Sequence, residues 1–161
     1  MTNMRRGFTM IELIFVIVII GILAAVAIPR LAANRDDATA ATCATQFGNI
    51  VTEATTQYAK LGYTDFQDLT IADLTNVKTG VTSSDTGISE AGTALVKSGI
   101  TFNCEGGSMS TLGFALTGAD YNMTITETGS TTTVPAAIKG GKIIMKNYGI
   151  TSTGGTKQIQ L

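Results

Sequence analysis

A long apolar segment near the N-terminus constrains this chain more than any other feature. Residues 8–29 read FTMIELIFVIVIIGILAAVAIP, and residues 13–28 contain no charged side chain. As a helix, this segment is long enough to cross a hydrocarbon core of about 30 Å. Because Arg5 and Arg6 precede it, we expect this end to stay in the cytoplasm and the remainder of the chain to be exported.

One carboxylate, Glu12, lies near the beginning of the apolar segment. A charged side chain in hydrocarbon costs on the order of 3 kcal/mol on insertion scales, so it is expected to have a partner. Lys, Arg and His are absent from residues 8–29, and Arg5 and Arg6 reach Glu12 only by extending back toward it. Cleavage just before Phe8 would place a new ammonium group about one helical turn from the carboxylate.

Residues 7–12, GFTMIE, followed by the uncharged run and Pro29, resemble the processing motif of type IV pilins and their relatives. The resemblance covers about residues 5–35 and is specific there. One departure is Met10, where relatives usually carry Leu, a substitution that is nearly neutral in volume. Beyond this region the resemblance is one of architecture only.

The resemblance implies a processing step and an assembly step. Prepilin peptidase is expected to cleave between Gly7 and Phe8, to remove the leader of residues 1–7 and to N-methylate Phe8. Glu12 is expected to pair with the N-terminal amine of an identical neighbouring subunit. The implied partners are therefore the peptidase, an inner-membrane assembly platform, the membrane before assembly, and other copies of the chain in a helical filament.

Two other interpretations of the N-terminus remain open. Arg5 and Arg6, the apolar run and Ala25-Val26-Ala27 also resemble a secretory signal peptide with an A-x-A cleavage site. In that case Glu12 would have no purpose. Alternatively, the segment is an ordinary membrane anchor, which leaves both the Gly-Phe junction and Glu12 unexplained.

The segment after Pro29 predicts that the helix continues to about residue 60. Residues 30–61 are rich in Ala and amphipathic, and their apolar side chains follow helical spacing in one stripe: Phe47, Ile50, Val51, Ala54 and Tyr58. A continuous helix over residues 8–60 spans about 80 Å, with Pro29 as a bend. The alternative is that Pro29 ends the membrane helix. Gly62 is a plausible C-cap.

Residues 62–161 predict a loop and a small antiparallel sheet packed on that stripe, hence an α+β fold of the type IV pilin kind. A short helix fits within residues 65–74, and residues 77–92 have loop composition. Predicted strands, rich in β-branched and aromatic residues, are 100–104, 112–116, 121–127 and 142–148, with an edge strand at 157–161. The glycine pairs 106–107 and 140–141 are predicted as turns.

The chain has two cysteines, Cys43 and Cys104. In an exported domain a single pair suggests a disulfide, which here would join the helix to the end of the first predicted strand. Two buried free thiols are the alternative. Many type IV pilins instead carry a late cysteine pair that encloses their C-terminal region, and this chain has none.

Composition argues against several functions. Lys and Arg total 11 and Asp and Glu total 12, so neither nucleic acid nor an anionic membrane is an expected partner. Lys139, Lys142 and Lys146 lack interleaved aromatic residues and are predicted to line a solvated strand edge. The ten aromatic residues are scattered along the chain and offer no stacking argument for electron transfer.

His is absent, and no nucleophile with an evident base or metal-ligand spacing is visible. We therefore expect no enzymatic activity, no cofactor and no metal. Asn122 begins an N-x-T sequon, a possible glycosylation site, and the alternative is a turn entering a strand. The predicted function is a pilus subunit, major or minor, for adhesion, motility or uptake. A type II secretion pseudopilin and a membrane-tethered binding domain that does not polymerise are the alternatives.

Overall fold

The computed structural model describes residues 7–82, 84–117, 120–152 and 154–161. In chain order its elements are helix α1 (Met10–Gln67), helix α2 (Ile71–Leu74), strands β1 (Gly87–Ile88), β2 (Ile100–Cys104), β3 (Gly107–Thr117) and β4 (Asp120–Glu127), helix α3 (Pro135–Tyr148) and strand β5 (Thr156–Gln160). The strands form one antiparallel sheet in the order β1-β2-β3-β4-β5. A long helix followed by a small antiparallel sheet confirms the predicted α+β layout.

The chain divides into two compact units, one ending at Arg35 and the other running from Asp36 to Leu161. Helix α1 contributes to both units. Its backbone stays helical at Pro29, so the alternative that the helix ends there is wrong. Gly62 alone departs from helical geometry, with φ of 71° and ψ of −179°, a conformation that glycine adopts without steric cost. The helix therefore ends later than predicted, after a break at the predicted cap.

The core of the second unit lies between α1 and the sheet. Phe47, Ile50 and Ala54 on the predicted stripe are completely buried, and the ring of Phe47 meets that of Phe102 in β2 at 6.1 Å between centroids. In β4 the side chains alternate as predicted, with Met123 buried and its neighbour Thr124 half-exposed. The amphipathic half of the helix thus packs on one face of the sheet.

Residues 142–148 are helical, so the strand predicted there is wrong. Helix α3 has Pro135 at its first position and ends at Gly149, whose φ of 67° makes a left-handed C-cap. Proline at the start and glycine just past the end are ordinary helix boundary signals. The helix was predicted as a turn and a strand because residues 140–141 are glycines and residues 143–145 form an apolar run.

The glycines at 140 and 141 lie inside α3, so the turn predicted for this pair is also wrong. A side chain at Gly140 would collide with the sulfur of Met109, and one at Gly141 would collide with the carboxylate of Glu127. Glycine costs about 1 kcal/mol in a helix interior relative to alanine. Here it lets α3 lie directly against strands β3 and β4.

The predicted strand edge at Lys139, Lys142 and Lys146 is therefore a helix surface. Lys142 and Lys146 are exposed, and the Nζ atom of Lys139 lies 2.7 Å from the Oδ1 atom of Asp37 in α1. The predicted short helix and the predicted edge strand are confirmed. A short helix is present at Ile71–Leu74, and the predicted edge strand is β5.

Cys43 of α1 and Cys104 at the end of β2 form the predicted disulfide, and the alternative of two free thiols is wrong. Their Cα atoms are 5.9 Å apart, and both residues are buried. Because the two cysteines are 61 positions apart in sequence, the bond closes a long loop between helix and sheet.

Aromatic residues that are distant in sequence pack together, which corrects the expectation that they are scattered. One aromatic cluster, with the centroids of contacting rings 5.1 to 6.5 Å apart, consists of Tyr58, Tyr63, Phe66, Phe114 and Tyr121. Burial, with smaller contributions from Tyr63 and Tyr58, raises the pKa of Tyr121 to about 12. The Tyr121 hydroxyl therefore stays neutral at physiological pH.

We expect the disulfide to stabilise the second unit by about 4 kcal/mol, because it closes a long loop in the unfolded chain. Replacing both Cys43 and Cys104 with alanine should lower the free energy of unfolding by this amount, as measured by chemical denaturation of the solubilised chain. Adding a reductant should lower the free energy of unfolding of the wild type by the same amount. It should leave that of the double variant unchanged. Equal stability of wild type and double variant would contradict this expectation.

Candidate processing and assembly site

Helix α1 begins with a capping box formed by Thr9 and Glu12. The backbone N–H of Thr9 donates to Oε2 of Glu12 at 2.9 Å, and the Thr9 hydroxyl donates to the same oxygen at 2.7 Å. In return, the backbone N–H of Glu12 donates to the Thr9 hydroxyl at 3.4 Å. Thr-x-x-Glu is the usual form of this motif, in which the two residues satisfy otherwise unpaired N–H groups at a helix start.

The capping box gives Glu12 a partner within its own chain. The Thr9-x-x-Glu12 spacing is present in the sequence and predicts a capping box. A search for charged partners of Glu12 does not find it, because Thr9 is uncharged. Oε2 accepts both hydrogen bonds from Thr9. Because a carboxylate offers acceptor positions on two oxygens, the capped side chain can still accept a bond from a second donor.

The bond between Gly7 and Phe8 lies before the helix. Residues 7–9 have no regular secondary structure, and Gly7 and Phe8 are both exposed. A side chain added at Gly7 would have open space around it, with no atom of the described chain within 4 Å. The fold therefore does not require glycine at this position, and the exposed, irregular backbone is the kind that proteases cleave.

The surface around Glu12 is apolar. A shallow groove of about 360 Å³ runs along the helix beside the carboxylate and is lined by Phe8, Ile11, Glu12, Phe15 and Val16. The large apolar side chains from Phe8 to Leu31 are 45 to 86% exposed, with none of them buried by the rest of the chain. Such a surface is stable only in a membrane or against other apolar surfaces.

The same helix satisfies the length and composition of a membrane span. An 18-residue window within Met10–Gln67 has a mean hydropathy of 3.1, and none of that window is buried. This agrees with the predicted membrane segment at residues 8–29.

The remaining predicted site residues belong to other parts of the fold. Pro29 lies farther along α1, and the disulfide belongs to the second unit. Asn122 of the sequon lies within β4, paired with Ala115 of β3 and Gln160 of β5, and is half-buried. Its glycosylation stays a prediction. Across the described residues, no group of three or more Asp, Glu or Cys side chains has a metal-binding arrangement.

Removal of the Thr9 hydroxyl should weaken the first turn of α1. Thr9→Val keeps the shape of the side chain but loses the capping hydroxyl, which is worth about 1 kcal/mol. The N–H groups of Glu12 and Leu13 bond to Thr9, so their amide hydrogen exchange in the solubilised chain should accelerate about fivefold. Thr9→Ser should exchange like the wild type. Unchanged exchange in Thr9→Val would mean that the capping box does not hold the helix start.

In a comparison with known protein families, residues 2–28 match the prokaryotic N-terminal methylation motif. No curated protein and no solved structure matches the chain. The matched residues include the Gly7-Phe8 junction, Glu12 and most of the apolar helix. Together with the helix-then-sheet layout, which matches the pilin fold, they point to a structural protein rather than an enzyme. Residues 2–28 thus match the prepilin-type leader that type IV pilins carry, and this match supports a type IV pilin-like or pseudopilin protein.

Proposed function

We propose that this chain is a structural subunit of a type IV pilus, a filament that polymerises through the apolar N-terminal helix. The observation that carries the proposal is an exposed apolar helix with a single acid near its start, within the residues that match the methylation motif. A membrane anchor alone needs no acid at this position. A filament of identical subunits gives both the apolar surface and the acid a partner.

Processing is the first step of the proposed pathway. Prepilin peptidase cuts between Gly7 and Phe8 on the cytoplasmic side and methylates the new amine of Phe8. The supporting observations are the exposed, irregular backbone at this junction and the open space around Gly7. Methylation keeps the amine charged, so the new N-terminus remains a cation.

Assembly is the second step, and Glu12 directs it. In the membrane precursor the carboxylate is capped by Thr9. In the filament, its remaining acceptor capacity pairs with the Phe8 amine of a neighbouring copy. Because a buried charge left without a partner costs several kcal/mol, only the register that pairs the two charges is tolerated. The pair therefore selects the position of each incoming subunit.

In this proposal, the chain moves from the inner membrane to the cell surface. An inner-membrane assembly platform extracts the precursor, and the apolar surface of residues 8–29 exchanges lipid for the helices of other subunits. Both environments are dry, so the transfer costs little hydrophobic free energy. The exported unit, held together by the disulfide, then faces the outside of the fibre.

Imaging of cells that produce the chain separates the possible roles. Long surface fibres support the pilin proposal. Short assemblies confined to the periplasm would favour the pseudopilin alternative, and monomers in membrane extracts would favour a tethered domain. N-terminal sequencing of sheared fibres should begin at a methylated Phe8.

Gly7→Ile should block trimming without disturbing the fold. The added side chain meets open space within the chain, so any effect arises at the peptidase. The mature mass should be replaced by the full precursor mass in intact-protein mass spectrometry. Gly21→Ile is a matched control, since Gly21 also has open space around it, and it should be trimmed normally. Normal trimming of Gly7→Ile would contradict the proposed cleavage site.

Glu12→Ala should leave the protein trimmed and membrane-bound but reduce the yield of sheared filaments at least tenfold. Glu12→Gln separates the two roles of this side chain, because glutamine also serves at this position of a capping box but carries no charge. We expect Glu12→Gln to assemble as poorly as Glu12→Ala, while Thr9→Val still assembles. Abundant filaments from Glu12→Gln would overturn the pairing of charges and leave capping as the role of Glu12.

A further inference from the structure

The exported unit carries one small group of exposed large apolar side chains. Among its described residues, the large apolar side chains that are at least about one-third exposed are Leu61 at 38%, Tyr63 at 36% and Leu116 at 48%. We call these three residues the apolar patch. Every other exposed large apolar side chain in the described chain lies between Phe8 and Leu31.

Two of the three residues, Tyr63 and Leu116, lie beside Tyr121. The ring of Tyr63 packs against that of Tyr121 with 5.1 Å between centroids. Leu116 lies directly opposite Tyr121 in the β3–β4 ladder, so their side chains share one face of the sheet. Leu61 precedes Tyr63 by two positions, on the other side of the break at Gly62. The break ends the regular helix at the point where Tyr63 meets the sheet.

The base of the patch is rigid. Tyr121 is buried, and its ring also contacts those of Tyr58 and Phe66, which are themselves in edge-to-face contact at 5.5 Å. Aromatic contacts of this kind contribute about 0.5–1.5 kcal/mol each beyond their buried area. The patch is therefore a preformed surface, which loses little conformational entropy when another molecule covers it.

We propose that the apolar patch is a docking surface for the uncharged part of the N-terminal helix of a second copy of this chain. The inference rests on the proposed filament function. Both surfaces are apolar, and both remain exposed in a single copy, so neither is satisfied within one molecule. Covering each with the other removes the two largest sources of unfavourable hydration from the described chain.

The symmetry of the contact favours the helix over a second patch as the occupant. Two patches in contact would form a closed, two-fold dimer and leave both helices uncovered. A helix on a patch is a heterologous contact, which leaves one free helix and one free patch at the ends of the assembly. Such contacts propagate without limit when the rotation between copies does not close, as a filament requires.

Because the patch is small, it is too weak to start assembly without other contacts between subunits. Three side chains fall far short of the roughly 800 Å² per partner found in stable interfaces. The patch therefore binds a helix only where neighbouring helices already hold it in place. Precursors diffusing in the membrane stay apart, while subunits gathered in a filament gain the contact.

A charge placed in the patch should prevent filament formation. Leu116→Asp should lower the yield of sheared filaments at least tenfold, with trimming and the Cys43–Cys104 bond unchanged on mass spectrometry and non-reducing gels. Ala115→Asp is the matched control: Ala115 is exposed and adjacent in β3, but its side chain lies on the opposite face of the sheet. This control should assemble like the wild type.

A photo-crosslinking amino acid at position 116 identifies the occupant directly. In wild-type-like filaments, the crosslinked peptide of the second copy should come from residues 8–31. A crosslink to residues 36–161 of the second copy would overturn the proposal, as would normal filaments from Leu116→Asp. Equal losses in Leu116→Asp and Ala115→Asp would also overturn it. In each of these three cases, wild-type filaments would leave the proposed function standing. A trimmed wild-type chain that forms no filament would overturn both.

Discussion

The structure depends on an apolar helix that its own chain does not cover. From Phe8 to Leu31 the large side chains are exposed, and none of the described chain folds over them. Water is a poor solvent for such a surface, so a membrane or other molecules must complete it. The single acid in this region, Glu12, then becomes the feature that distinguishes one apolar environment from another. In the proposed filament, the trimmed N-terminus of a neighbouring subunit offers Glu12 a cation, which the hydrocarbon of a membrane does not.

Under the proposed function, the two oxygens of Glu12 serve both in the membrane and in the filament. The hydrogen bonds from Thr9 share Oε2 and give the carboxylate a partner before any other subunit arrives. The same bonds begin the helix, so capping and charge pairing are not competing explanations of the residue. A charge held by its own helix start is also positioned for a neighbour, because the first turn is fixed.

The sequence predicts most of the fold wherever local periodicity and packing agree. The apolar stripe through Phe47 and Ile50 has helical spacing and is buried as expected. The alternation in β4 likewise predicts which of its side chains face the core, and two cysteines allow only one pairing. Helix α3 was missed because its glycine pair and its β-branched residues both argue locally against a helix. What permits glycine there is contact with Met109 and Glu127, which no local pattern contains.

By itself, the sequence determined that the chain has an apolar N-terminal helix with one acid and that it contains a single pair of cysteines. These conclusions follow from spacing along the chain and from the cost of placing charge in hydrocarbon. Only the tertiary structure decided that α3 is a helix and that Tyr63, Leu116 and Tyr121 form one surface. Residues more than fifty positions apart meet there, because sheet register and the break at Gly62, rather than local propensity, determine which side chains come into contact.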